Sequence, residues 1–236
     1  MKQQKLYQQV EEVLSEEIAE GVYKPGDHLP AERELMERFE VGRPSIREAL
    51  FSLARRGLIE LGSGRRPRVV EPSFAIVLKE LDVIARQVLG KPENIFYLME
   101  LRRILECALV RKLALEANDE QIAQLKLKLD ANEASLGNLQ RFWKTDSEFH
   151  KTLAQLSGNP VLPVIVDAIL TWLIDNRRVT LSMPGSDERA LKHHRIIFQA
   201  IAAHQPDAAD QAMATHLISV EERVRFQLES AAQANP

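Results

Sequence analysis

Apolar residues recur along this chain at the three- and four-residue intervals of helices almost from end to end, and the pattern changes character in one stretch. Leu6, Val10, Val13 and Ile18 mark a helix over Leu6–Glu20 that stops at Gly21. Leu35–Phe39 keeps helical spacing, and a tight turn is expected at Glu40-Val41-Gly42. Pro44 falls where a first helical residue tolerates proline, because the N–H it lacks would have no partner there anyway. From Pro44 a helix runs to Arg56 on the stripe Ile46, Ala49, Leu50 and Leu53, with Gly57 as its C-terminal stop. Here the period shortens. Leu58–Leu61 and Arg68–Val70 have β character and flank Gly62-Ser63-Gly64-Arg65-Arg66-Pro67, a hairpin rich in glycine and arginine. Glu71-Pro72-Ser73 reads as a linker, since proline breaks the pattern.

Everything after the linker is helical in pattern, with spans near 75–89, 92–117, 119–136, 138–156, 160–182, 187–204 and 206–231. The breaks fall at residues that cap or end helices: Gly90-Lys91-Pro92, Asn118, Gly137, Gly158-Asn159-Pro160, Pro184-Gly185 and Gln205-Pro206. The predicted fold is therefore mostly α. An N-terminal winged helix-turn-helix, residues 1–72, precedes an antiparallel bundle of six or seven helices, residues 73–236.

Composition sharpens this in a few respects. At 236 residues with 45% apolar side chains, the chain can build two cores. The net charge of −3 excludes a general polyanion binder, so attraction to DNA must come from a local patch. Such a patch exists: between Arg43 and Arg68, seven arginines face only Glu48 and Glu60. The single Cys107 excludes an internal disulfide framework and suits a reducing cytosol; within a Leu- and Ala-rich helix it reads as packing rather than as a nucleophile. No apolar run reaches the roughly 18 residues of a membrane span, and no signal peptide is evident, so a cytoplasmic protein without membrane contact is expected.

The winged segment is where charge and pattern coincide. Arg43, Ser45 and Arg47 open the second helix and lie off its apolar stripe, where a recognition helix entering the major groove meets base edges. Arginine offers guanine a bidentate fork and phosphate a tight contact, which also makes Arg65 and Arg66 of the wing candidates for DNA binding. A solvated charged face is the bland alternative. The segment also resembles the N-terminal domain of the GntR family of bacterial transcription regulators. Pro25-Gly26, Leu29-Pro30, Glu32-Arg33-Glu34-Leu35, Arg43, Arg47-Glu48-Ala49-Leu50 and Leu53 match the family pattern. The resemblance implies operator contacts from Arg33, from Arg43, Ser45 and Arg47, and from the wing glycine, Gly64. The usual wing reads Gly-x-Gly-Thr-x-Val; this chain has no threonine there and carries Arg65, Arg66 and Arg68. The VGRPSIREAL helix is similar to that of the sialic-acid-responsive branch, which does not fix an effector bound in another domain.

In the bundle, polar residues interrupt apolar faces. Asp146 and His150, four apart and so stacked on one helix, project from the face of Leu139, Phe142, Phe149, Leu153 and Leu156. His194 falls among Leu191, Ile197, Phe198 and Ile201, and His216 lies on the line of Ala209, Ala212, Met213 and Val220. One inward histidine is usually a hydrogen-bonded core residue. Three of six with an aspartate suggest a divalent-metal site, since imidazole and carboxylate bind zinc, nickel and manganese. His193 lies nearer the edge of its face, and His28 and His204 read as loop or surface residues. Residues 75–231 resemble the all-helical effector domain of the FadR subgroup. There, an Asp-x-x-x-His on one helix and a histidine on each of two later helices hold a divalent metal at the floor of the effector pocket. The resemblance implies that role for Asp146, His150, His194 and His216, with one metal per chain, zinc before nickel or manganese.

Arg102, with Glu106 one turn on, shares its face with Ile95, Leu98, Leu105 and Leu109; Arg177 lies in line with Val166, Leu170, Leu173 and Ile174. A buried arginine needs a partner. One reading is an internal Arg102–Glu106 salt bridge. The other is a cationic effector pocket of Arg102, Glu106, Arg177 and Arg223 for a small carboxylate metabolite. The expected protein is a homodimeric repressor of a catabolic operon, because one winged domain covers one half-site of a palindromic operator. A metal sensor, with the ion as signal, is one alternative. A metal-dependent hydrolase is another, for which Glu106 is the only inward carboxylate outside the metal set available as general base.

Overall fold

The computed structural model describes residues 5–62, 65–71, 74–174, 180–181 and 183–234. Among these the chain forms ten helices and one two-stranded sheet. It divides into two compact units, Met1–Glu80 and Leu81–Pro236, so the division falls inside the helix that follows the linker. Of the linker residues, Pro72 and Ser73 lie outside the described residues.

The first unit is built from α1 (Leu6–Ala19), α2 (Glu32–Phe39), α3 (Arg43–Arg55), β1 (Ile59–Glu60) and β2 (Arg68–Val69). The stripe Ile46, Ala49, Leu50 and Leu53 is buried against Val10 and Leu14 of α1, Leu29, Leu35 and the strand residues Ile59 and Val69. Helix α2 extends back to Glu32, earlier than its apolar spacing reveals. The Glu34 carboxylate accepts the Ala31 N–H at 2.8 Å, satisfying one of the donors a helix start leaves unpaired. Glu40 takes the left-handed conformation (φ 52°) and turns the chain from α2 into α3. The strands pair antiparallel, Ile59 with Val69 and Glu60 with Arg68, and are shorter than the β-like runs suggested. His28 forms a bridge with Arg68 at the sheet edge, so it is tied to the wing strand while remaining exposed.

The second unit contains α4 (Phe74–Val88) from Leu81 onward, α5 (Pro92–Glu116), α6 (Asp119–Glu133), α7 (Leu139–Leu156), α8 (Val161–Trp172), α9 (Ser186–Ala202) and α10 (Pro206–Ala234). The long helices α5 and α10 pack on each other, α9 packs on α10 and α6, and α6 packs on α7. The largest core cluster joins Phe142, Phe149 and Leu153 of α7 to Leu113 of α5, Leu125 and Leu129 of α6, Leu191 and Ile197 of α9, and Met213 of α10. Asn118 caps α6 reciprocally with Gln121, and Asn138 caps α7 by accepting the Arg141 N–H at 3.1 Å.

The helix expected over 160–182 is interrupted at Leu173: α8 ends at Trp172, where Leu173 donates back to the carbonyls of Ile169 and Thr171. Ile174, Thr180 and Leu181 are helical again, and residues 175–179 and 182 lie outside the described residues. The span expected at 119–136 ends at Glu133. There the Ser135 hydroxyl donates to the Asn132 carbonyl at 2.6 Å, and Gly137 turns the chain with φ 78°.

Candidate DNA interface and candidate metal centre

In the first unit the start of α2, the outer face of α3 and the wing border a groove of about 710 Å³. Arg33, Arg43, Arg47, Arg65 and Arg66 line it, with Glu32, Phe51 and Leu61. Arg33 is 83% exposed, Arg43 67% and Arg47 56%. Ser45, in the first turn of α3, is half-buried. Gly64 lies outside the described residues. The arginines are held by local acids: Arg43 Nε donates to Glu32 Oε2 at 2.8 Å, Arg47 Nε lies 3.8 Å from Glu32 Oε1, and Arg66 lies 3.8 Å from Glu34. Exposed pairs of this kind contribute little to stability, so the guanidinium groups are easily transferred to another anion.

In the second unit His150 of α7, His194 of α9 and His216 of α10 converge. Each offers a ring nitrogen, and these lie within 4.8 Å of one another. All three are buried to 2% exposure or less. His150 Nε2, His194 Nε2 and His216 Nδ1 are buried without a hydrogen-bond partner in the protein. Such orphaned acceptors are costly, and a cation is the partner that imidazole lone pairs fit.

The opposite nitrogens explain which lone pairs face inward. His150 Nδ1 lies 2.5 Å from Glu106 Oε2, so it donates to the carboxylate and Nε2 is the nitrogen left for a ligand. His194 Nδ1 lies 2.8 Å from Asn132 Oδ1, while Asn132 Nδ2 donates to Thr145 at 3.0 Å; His194 is thus also a donor at Nδ1. Histidines that ligate metals commonly donate their other N–H in this way. Burial pushes the His194 imidazolium down to about 3 and that of His216 well below its ordinary value, with the neighbouring histidines adding to the effect on His216. Both rings are therefore neutral, the form that ligates. The buried Asp146 places Oδ1 3.6 Å from His194 Nε2, beside the three-histidine group. His193 is half-buried, its ring 5.6 Å from that of His216.

Arg102 and Glu106 form a buried pair at 2.5 Å, 4% and 0% exposed. Burial would raise the Glu106 carboxyl, but Arg102 and His150 outweigh it and hold the group ionised, well below the usual carboxylate range. Glu106 is thus turned to Arg102 and His150 rather than toward a ligand. Arg102, Asp146, His150, His216 and Arg223 line a cavity of about 10 Å³, closed by Thr180, Leu181, Ala190 and Val220. That is room for one ion or water. Arg177 lies outside the described residues. Cys107 is half-buried with Sγ 3.7 Å from the Asp210 carbonyl, and burial with Asp210 pushes its thiol up to about 12, so it packs and does not react.

Comparison with known proteins decides the family. Residues 6–69 match the profile of bacterial regulatory proteins, gntR family, and residues 97–219 match the FCD domain. The chain is 42% identical over 92% of its length to the HTH-type transcriptional repressor NanR of Klebsiella aerogenes, covering 84% of that protein. The same holds at 42% for the NanR of Salmonella newport.

The chain belongs to the GntR family.

A solved Streptococcus agalactiae GntR structure superposes with a TM-score of 0.59 at 30% identity, covering 92% of this chain and 99% of that one. As a member of a family of regulators with repressors among its relatives, this GntR protein is not an enzyme. Sequence reasoning missed two residues in it. Asn132 falls in line with Ile122, Leu125 and Leu129 on the buried face of α6, so the test that singled out His194 would have found it. Glu32 stands in the Glu32-Arg33-Glu34-Leu35 stretch that matches the family pattern, but its contact with the arginines gave no signal, because an acid at a helix start is ordinary and its partners are in another helix.

Proposed function

We propose that this GntR-family chain is a transcriptional repressor that binds a palindromic operator as a homodimer. The observation that carries the reading is the convergence of Arg33, Arg43, Arg47, Arg65 and Arg66 on one groove at the recognition helix and wing. Arg43, Ser45 and Arg47 would meet base edges; Arg33, Gly64, Arg65 and Arg66 would hold backbone and wing contacts. No helix among the described residues is long and apolar enough to cross a membrane. Its similarity to proteins named repressors supports the sign of regulation.

In the second unit His150, His194, His216 and Asp146 would hold one divalent ion, zinc before nickel or manganese. A bound ion supplies a fixed positive charge and open coordination sites for an anion. Arg102 and Arg223 on the same cavity suit a small carboxylate metabolite, as from a catabolic substrate, with Arg177 a further candidate; Glu106 would serve behind His150. Because the cavity holds about 10 Å³, such an effector must displace the side chains that close it. That displacement gives a ligand different affinities for two conformations, which is what coupling to DNA requires. The same small volume favours a second reading, in which the ion is itself the signal. A duplex selected from a randomised library by the purified protein tests the first half: retention of that duplex and release of its scrambled counterpart is expected. Calorimetry of metal-loaded and metal-stripped protein against carboxylates, sialic acid first, tests the second. Metal-switched DNA binding without any carboxylate response would favour the ion as signal.

A further inference from the structure

Glu32 is an acid on a surface read as facing a polyanion. It is the first residue of α2, where the positive end of the helix favours a carboxylate, so its position is set independently of α3. From there it reaches two arginines one turn apart on α3: Oε2 accepts from Arg43 Nε at 2.8 Å, and Oε1 faces Arg47 Nε at 3.8 Å. Its side chain is 34% exposed, and such pairs add little to folding. Repulsion from phosphate lowers affinity for every duplex. The helix start accounts for an acid at this place, but neither it nor raw affinity accounts for that acid reaching two arginines of the recognition helix.

The geometry points to Glu32 as a positioning residue that makes Arg43 and Arg47 read bases instead of gripping phosphate. It hydrogen-bonds Arg43 through Nε, which leaves that guanidinium's two terminal nitrogens, a pair that can meet guanine O6 and N7, without a hydrogen bond to Glu32; Arg47 approaches it more loosely, nearest at Nε 3.8 Å away. Arginine is a long, flexible side chain, and a carboxylate that fixes its Nε edge reduces the freedom lost on docking to a base. On random DNA the same carboxylate competes with phosphates for both arginines, because phosphate contacts carry no sequence information but attract any free guanidinium. Glu32 thus trades general affinity for discrimination. The inference rests on the groove being the DNA surface.

The test uses the full chain, a duplex enriched from a randomised library by the wild-type protein, and a scrambled duplex of equal length, with affinities from fluorescence anisotropy over a range of salt. Glu32→Ala is expected to bind the scrambled duplex severalfold tighter and to lose about tenfold in the ratio between the two duplexes. Glu32→Gln, which keeps size and one acceptor oxygen without charge, is expected to fall between, and it serves if the alanine variant does not fold. In an Arg43→Ala, Arg47→Ala background, Glu32→Ala should change the ratio no further. Equal tightening on both duplexes, or an unchanged ratio, would overturn the positioning role. If the wild type enriches no sequence, or if the double arginine variant keeps the full ratio, the groove itself is misassigned and Glu32's role falls with it. If only Glu32→Ala is silent, the groove stands and this role alone is wrong.

Discussion

The two candidate sites solve opposite electrostatic problems. At the DNA groove the charges are exposed, paired loosely with Glu32 and Glu34, and available for exchange with an incoming anion. At the histidine cluster the polar atoms are buried, and three nitrogens lack a partner in the protein while their opposite nitrogens are held by Glu106 and Asn132 in the cases of His150 and His194. The difference teaches where each site spends stability. A surface that must release and reform contacts with DNA uses pairs that fold the protein weakly. The histidine cluster, which could hold one ion, has two of its rings fixed beforehand by buried hydrogen bonds that are costly to break.

Removing the buried cation should separate the regions most strongly. Arg102→Met leaves Glu106 charged and short of a partner, and should lower unfolding free energy by about 3–5 kcal/mol in urea denaturation of metal-stripped protein. Arg43→Met, which breaks an exposed pair, should stay within about 1 kcal/mol. Equal losses would erase the contrast between the two sites.

Metal removal comes next. The wild-type protein should contain one divalent ion per chain by elemental analysis, and chelation should lower its melting temperature. Free metal at a hundred times the dissociation constant stabilises by about 2.7 kcal/mol. His150→Ala with His194→Ala should contain no metal and be indifferent to chelator. Wild-type metal content in that double variant would refute the site.

Asn132→Ala should weaken metal binding by about 10- to 100-fold in a competition titration, because it frees the His194 ring to rotate and change tautomer. Unaltered affinity would mean that the hydrogen bond only fills the core.

The DNA variants should act on binding and not on stability. Arg43→Ala and Arg47→Ala should each lose about 1–3 kcal/mol of specific affinity by anisotropy, at an unchanged melting temperature. Arg66→Ala should weaken all duplexes alike and flatten the salt dependence by about one counterion. Full operator affinity in both Arg43→Ala and Arg47→Ala would remove the recognition helix from base reading.

The sequence by itself determined which residues of each helix turn inward. Ile46, Ala49, Leu50 and Leu53 of α3 are buried as their spacing predicts, and so are Asp146, His150, His194 and His216 among their apolar neighbours. Azimuth is a local property: it follows from the fixed angle per residue within one helix and needs no knowledge of any other. Helix ends were legible where a cap or proline stands, as at Asn118 and Asn138, and illegible at Trp172, where apolar periodicity runs on and neither a capping residue nor a proline marks the break. Only the tertiary structure decided which inward atoms meet. His150 finds Glu106 from 44 residues away and His194 finds Asn132 from 62, while Arg43 finds Glu32 across the turn between two helices. The Arg102–Glu106 pair and the Glu106–His150 contact place that carboxylate behind a ring, which facing directions alone could not distinguish from a place in the pocket. Those pairings depend on the axial offset and rotation of packed helices, set by how side chains of the whole core interdigitate.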